Sequence, residues 1–423
     1  MSDASDQAPE RTAVPLLTPA DGLPELVDST RLLAAAVDRL AGGTGPLAVD
    51  AERASGFRYS NRAYLLQFRR AGAGTVLIDP IPISGDLAPL AEVINPLEWV
   101  LHSADQDLPG LDELGMRPAA LYDTELAGRL AGYERVGLAA IVESKLGFGL
   151  KKGHGADDWS NRPLPETWLN YAALDVEVLL ELREAVAEDL ESQGKTDWAA
   201  QEFEHVRLAG PPKPKPDRWR RTSQIHSLKS ARQLAAVREL WTARDDLARK
   251  RDVAPGRVLP DSAIIAAASA DPRTIDALRA LPVFGGPRQR RSSELWMQAL
   301  ERARALPTED LPPVTQPFTG PPPINRWSRR NPEAADRLTA ARAAITELSE
   351  RVRVPVENLL TPELVRRLCW DFDPAEHPGT PAQVTTEIDE ILASGRARRW
   401  QRELTAPLLA GALHSAPSHV TGE

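Results

Sequence analysis

The sequence predicts an α/β domain followed by two all-α helical bundles. Three observations predict it. Apolar runs of strand length alternate with helical periodicity up to about residue 208. The pattern then becomes wholly helical after a stretch rich in Pro, Lys and Arg, and a similar helical pattern restarts after a second proline-rich stretch. The corresponding division is a disordered tail over 1–14, an α/β domain over 15–208, a linker over 209–227, a first bundle over 228–306, a linker over 307–333, a second bundle over 334–416 and a tail over 417–423.

In the α/β part, a helix is expected over about 30–40, capped by Ser29 or Thr30 and stopped by Gly42-Gly43. Strands are expected near 46–52, 63–69, 74–79 and 98–102. From Asp105 onward most segments carry helical periodicity, including 124–130 and 164–188. Pro211-Pro-Lys-Pro-Lys-Pro216 and the run from Pro307 to Pro323 read as semi-rigid linkers, because proline removes backbone donors and favours extended chain. In the first bundle, Leu234, Val237, Leu240, Trp241 and Leu247 fall at helical spacings; Val253 to Pro260 breaks the chain and Asp261 restarts it. Leu338, Ile345 and Leu348, then Val354-Pro-Val356 and Thr361-Pro362, repeat that pattern.

With 423 residues the chain is long enough for several cores. One cysteine, Cys369, excludes an intrachain disulfide framework and fits a reducing cytoplasm. No signal peptide is expected from the polar, acidic first residues, and no apolar run reaches membrane-spanning length. The net charge of -9 argues against a simple polyphosphate binder. The charge is uneven, however: residues 1–210 hold 18 basic and 34 acidic residues, whereas 211–310 hold 20 and 12. The middle segment is therefore the expected electrostatic foothold for a polyanion.

The chemistry-bearing residues are acids. Asp50 and Glu52 end the apolar run Pro46-Leu-Ala-Val49; in a strand, residues i and i+2 project from one face, roughly 6 to 7 Å apart. Asp107 follows a second apolar run, and Tyr171 and Asp175 stand at i and i+4 of a helical pattern, on one face. Four carboxylates in one cleft would raise each other's pKa values unless cations compensate them, and hard oxygen donors suit Mg2+ or Mn2+ better than zinc. A pair of divalent cations about 4 Å apart serves in-line phosphoryl displacement. Any one of these acids alone would be an ordinary solvated strand or helix end.

Their order and flanks resemble a known family. Leu47-Ala-Val-Asp-Ala-Glu52 with Arg62-Ala-Tyr-Leu-Leu-Gln67 is similar to the first exonuclease motif of the ribonuclease D family, and Val100-Leu-His-Ser-Ala-Asp-Gln-Asp-Leu108 to its second. Asp123-Thr-Glu-Leu-Ala127, Val136-Gly-Leu-Ala-Ala140, Lys152 and Asp158-Trp-Ser-Asn-Arg-Pro-Leu164 follow in the family's order, and Tyr171-Ala-Ala-Leu-Asp-Val176 resembles the third motif in its tyrosine form. The resemblance covers about residues 30–190 and implies a ribonuclease-H-like exonuclease fold. It also implies an Asp-Glu-Asp-Asp site with Tyr171, and 3′-to-5′ release of nucleoside monophosphates. Asp50, Glu52, Asp107 and Asp175 would hold two divalent cations, with Tyr171 orienting the attacking water. Asp105 competes with Asp107; alignment on Leu108 favours Asp107. The loop after Glu52, through Tyr59, departs from the family's usual residues and is expected to touch the terminal nucleotide. The bundles resemble the helicase-and-ribonuclease-D C-terminal (HRDC) domain, the second as a degenerate copy.

Lys152, Arg162 and His102 are candidate substrate-binding residues, the first two as phosphate partners and His102 as a hydrogen-bonding group lining the site. Arg218, Arg220 and Arg221, interleaved with Trp219, are expected to form a track for RNA backbone, together with Arg288, Arg290 and Arg291. Trp159 reads as a packing anchor. The expected partner is RNA with a free 3′ end, with no membrane and a monomeric chain. A DNA exonuclease and a nucleic-acid-binding scaffold with a fossil site are the competing readings.

Overall fold

The computed structural model describes residues 13–151, 153–211, 215–315, 320–372, 377 and 379–414. The first part is built on a six-stranded sheet. In spatial order its strands are Leu26–Val27 (β2), Gly74–Ile78 (β5), Ala63–Ala71 (β4), Thr44–Arg53 (β3), Glu98–Leu101 (β6) and Ala120–Asp123 (β7). β3, β4 and β5 run antiparallel in sequence, β6 and β7 continue parallel to β3, and β2 lies parallel to β5. β3 is central, with Leu47, Ala48 and Val49 wholly buried. That unbroken apolar run is what a strand covered on both faces requires, and it carries Asp50 and Glu52 at its far end. A separate pair joins Val14–Leu16 (β1) to Phe148–Leu150 (β8), so β1 starts at the last residue of the expected tail.

The helix at Thr30–Ala41 and the strands near 46, 63, 74 and 98 form as their patterns predict. The helix expected over 164–188 is two, Glu166–Glu177 and Leu179–Ser192, broken at Val178. The first packs on β3, β4 and β5 and the second against the Thr124–Ala131 helix, so one straight axis could not serve both. The apolar residues Val176, Val178 and Leu179 are all buried and conceal the break in sequence.

Each bundle repeats one plan. A 21-residue helix, Ala231–Arg251 or Pro332–Val352, ends on a left-handed residue, Asp252 (φ 46°) or Arg353 (φ 51°). A four-residue helix follows, Pro255–Val258 or Val356–Leu359, and then a ten-residue helix, Asp261–Ala270 or Pro362–Asp371. Both expected linkers contribute to cores: Trp219 is buried in the first bundle's core and Trp327 in that of the second.

The two bundles dock at different places. The second shares a continuous core with the α/β domain, where Trp198 stacks on Trp400 at 4.9 Å between ring centroids and Glu202 accepts from Trp400 Nε1 and Arg398 Nε. The first holds the loop that follows Glu52. Tyr59 donates to Asp245 at 3.0 Å, Ser60 N and the Tyr64 hydroxyl both donate to Asp252, Ala254 N donates to Phe57 O at 2.9 Å, and Arg257 Nε to Gly56 O at 2.8 Å. No helix among the described residues is long and apolar enough to cross a membrane.

Candidate active site

The three expected acidic clusters meet in one cavity of about 350 Å³, lined by Asp50, Glu52, Asp107, Tyr171 and Asp175. Carboxylate oxygens of Asp50, Glu52 and Asp175 lie within 4.8 Å of one another. Asp50 and Glu52 come from one face of β3; Tyr171 and Asp175 share a face of the Glu166–Glu177 helix laid across the sheet. Asp107 arrives from a short helical turn that begins at Ser103, whose backbone is left-handed (φ 63°). That turn is held by Asp123, which caps the Thr124–Ala131 helix through Glu125 N and Leu126 N and also accepts from Ser103 N and Ala104 N. Asp107 is 6% exposed, whereas Asp105 points to solvent, so the second motif delivers Asp107.

The cluster is electrostatically strained. Burial, reinforced by the Asp50, Asp175 and Asp107 charges, pushes the Glu52 carboxyl up to about 10. Burial raises Asp50 to about 6 against the opposing pull of a backbone hydrogen bond and Arg53. Asp107 and Asp175 are raised as well, by burial and then by the Asp50 charge. Tyr171 donates its hydroxyl to Asp175, and burial plus the surrounding carboxylates keep it protonated well beyond the ordinary tyrosine range. Its ring lies against glycines: a Cβ on Gly153 would stand 3.2 Å from Tyr171 Cδ2, and one on Gly155 3.5 Å from the hydroxyl. Four acids and an all-oxygen donor set fit hard divalent cations, whose charge would relieve this repulsion.

Arg53 is the partner that sequence reasoning missed. It lines the cavity, lies 3.4 Å from Asp107 and donates to Gln106 O at 2.7 Å. By simple alternation it would face away from Glu52, but the β3–β4 register slips between Glu52 and Arg53, and such an irregularity re-aims a side chain. A period-two reading has no means of finding it.

The substrate-binding candidates fare unevenly. His102 lines the cavity, with Nδ1 2.9 Å from Thr124 Oγ1, but burial lowers its imidazole to about 4, so it is neutral near pH 7 and offers no charge to a phosphate. Arg162 is not a phosphate ligand. Nε and one Nη2 bond grip Asp79 at 2.5 and 2.8 Å, and the remaining donors reach Trp159 O, Asn161 O and Tyr64 O, which uses all five N–H groups. Lys152 lies outside the described residues; its neighbour Lys151 lines the cavity. Trp159 is wholly buried.

Arg218, Arg220 and Arg221 are not among the residues that line the carboxylate cavity. Arg218 lies over Trp241 and Arg220 over Trp219, and Arg220 also donates to Pro313 O, so the second of the three is engaged in packing rather than presented as a track. Arg221 is exposed. Of the loop after Glu52, Arg53 borders the cavity and residues 56–60 dock on the first bundle through the contacts described above.

Comparison with known proteins agrees with this geometry. Residues 24–191 match a 3′-5′ exonuclease model, 233–300 an HRDC domain model, and 320–413 a 3′ to 5′ exonuclease C-terminal domain model. A curated ribonuclease D of Acidiphilium cryptum is 31% identical over 317 residues, covering 73% of this chain and 80% of that protein. The chain belongs to the ribonuclease D family. Curated ribonuclease D proteins are matched over 53% to 80% of their own lengths. A crystal structure of a protein from Bifidobacterium adolescentis superposes with TM-score 0.88 at 37% identity, over 95% of this chain and all of that one. Escherichia coli RNase D shares the fold, with TM-score 0.67 at 24% identity over 93% and 99% of the two chains. Within the ribonuclease D frame, the Asp123 cap and the Arg162–Asp79 clamp explain two recurring blocks as scaffold for the cavity rather than as parts of it.

Proposed function

We propose that this chain is a metal-dependent 3′-to-5′ exoribonuclease that releases nucleoside monophosphates from RNA with a free 3′ end, acting in the cytoplasm on structured stable RNAs such as tRNA precursors. The observation that carries this reading is the convergence of Asp50, Glu52, Asp107 and Asp175, with Tyr171, in one cavity on an exonuclease fold. The same four carboxylates would hold two divalent cations, Mg2+ or Mn2+. Bound there, such cations supply the charge that favours attack by water on phosphorus and stabilises the departing 3′ oxygen.

The chain's own residues do the positioning. The Tyr171 phenol stays protonated, so it acts by hydrogen bonding, fixing the attacking water against the scissile phosphate while Asp175 fixes the phenol. Arg53 offsets part of the acidic charge at Asp107, on the side where the cavity opens toward the loop after β3. The preference for RNA rests on the family; the chemistry of the carboxylates would serve DNA equally.

The test uses 5′-labelled RNA and DNA oligomers with Mg2+, Mn2+ or EDTA. Progressive shortening from the 3′ end, faster on RNA and stopped by EDTA, is the expected result. Internal cleavage, or turnover that survives chelation, would refute the reading. Tyr171→Phe is expected to lower kcat on the order of a hundredfold, the scale for removing one orienting hydrogen-bond partner, with metal affinity by calorimetry retained. Undiminished turnover would remove the water-orienting role.

A further inference from the structure

The loop after Glu52 has a second face. There it forms one wall of another cavity, of about 510 Å³, whose opposite wall is the first helical bundle. Five arginines line this cleft: Arg58 from the loop and Arg251, Arg257, Arg288 and Arg291 from the bundle. Asp158 is the one acid among its lining residues, and its carboxylate accepts from Ser160 N and Oγ.

None of the five arginines takes part in an ion pair shown among the described residues. Arg58 gives Nε to Ser160 Oγ, Arg257 gives Nε to Gly56 O while lying 4.1 Å from the Phe57 ring centroid, and Arg288 gives Nη1 to the Arg257 carbonyl. Those bonds aim the guanidinium groups and leave most of their donors open. Arg251 and Arg291 are exposed. Five like charges around one concavity repel each other, and low-dielectric walls focus the resulting field; an anion relieves it, and planar guanidinium forks match phosphate geometry.

Position identifies which anion. Gly155 lines the carboxylate cavity and Asp158 lines the arginine cleft, three residues further along, so their Cα atoms are within about 11 Å. Glu52 and Phe57 bracket the same wall from the other loop, five residues apart and within about 18 Å. A strand whose 3′ end sits at the carboxylates can therefore reach this cleft with its preceding phosphates.

We propose that the five-arginine cleft binds the phosphodiester backbone of the RNA a few nucleotides upstream of its 3′ end. The substrate is thereby held between the exonuclease domain and the first bundle while its end is trimmed. The inference rests on the exoribonuclease reading and assigns the basic middle segment a route that Arg218 and Arg220 do not provide. Because the contacts are to phosphates, the cleft confers length dependence and salt sensitivity without base preference.

The test compares wild type with Arg251→Ala/Arg288→Ala/Arg291→Ala on a 5′-fluorescein 16-nucleotide oligouridylate and a 3-nucleotide oligouridylate, the latter too short to span both cavities. The preference for the longer RNA, as a ratio of kcat/KM values, is expected to fall on the order of a hundredfold, mainly through KM. The slope of log affinity against log salt, measured by fluorescence polarisation of the 16-mer in EDTA, is expected to flatten by about two, at roughly 0.7 per phosphate contact on a single strand. Arg251→Lys/Arg288→Lys/Arg291→Lys, which keeps the charges, is expected to recover most of the affinity, and matching circular-dichroism melts confirm the fold. An unchanged length preference and salt slope would overturn the cleft while leaving the exoribonuclease reading intact. Failure of wild type to shorten either RNA would overturn that reading instead, and the polarisation result would still decide whether the cleft binds RNA.

Discussion

Asp50→Asn is expected to stop turnover almost completely and, in EDTA, to make the folded chain harder to melt. The catalytic loss should be roughly a thousandfold or more, because removing one charged ligand from a cation pair forfeits several kcal/mol of transition-state stabilisation. The gain in stability follows from the cluster's repulsion. The folded-state pKa values of Asp50 and Glu52 are raised, to about 6 and about 10, from ordinary values of 3.8 and 4.5. A carboxylate raised in this way favours folding fully when both states are protonated, below the unfolded value, and loses that contribution as pH rises through the folded value. Metal-free wild type should therefore lose stability from about pH 4 upward, through about pH 6 for Asp50 and on toward about pH 10 for Glu52. Removing Asp50 also relieves Glu52, Asp107 and Asp175, so the variant's melting temperature in EDTA at pH 8 should exceed that of wild type by a few degrees. A variant that melts below wild type in EDTA would mean that Asp50 sits in a favourable field, contrary to the assigned role.

Arg162→Ala is expected to be among the most damaging changes to stability, with its effect on RNA affinity secondary. Asp79 is 4% exposed and accepts two charged hydrogen bonds from this guanidinium, which also ties down three carbonyls on two segments. Stripping the partner from a buried carboxylate costs about 3–5 kcal/mol. Arg162→Lys should recover little, since an ammonium cannot reproduce a five-donor planar fork. Urea unfolding reads the outcome. An unchanged midpoint combined with a raised KM for RNA would return Arg162 to the phosphate-binding role that its sequence context suggests.

These two residues show where the sequence could be read and where it could not. Asp50, Glu52, Tyr171 and Asp175 were legible because two local periods, two in a strand and nearly four in a helix, place chemistry on a shared face, and the family's motif order links those faces. Arg162 was misplaced because an arginine in a polar, glycine-rich stretch looks the same whether its donors meet phosphate or a buried carboxylate 83 positions away. Arg53 was hidden by the register irregularity at the end of β3. The strands at 14–16, 26–27, 120–123 and 148–150 escaped because two to four residues are too few to show alternation. The expected linkers read as semi-rigid spacers, but Trp219 and Trp327 within them are buried in the cores of the bundles beside them.

The grip of Asp245 and Asp252 on Tyr59, Ser60 and Tyr64 bears on how this enzyme can be dissected. A fragment ending near residue 210 would keep every acid of the cavity yet leave the segment just downstream of Glu52 untethered. Limited proteolysis of such a fragment should nick within residues 54–62, where the intact chain resists, and its hydrolysis should suffer with all metal-binding side chains present. In this molecule a helical appendage acts as a splint for the hydrolytic centre, so the catalytic unit is larger than the fold that bears its name.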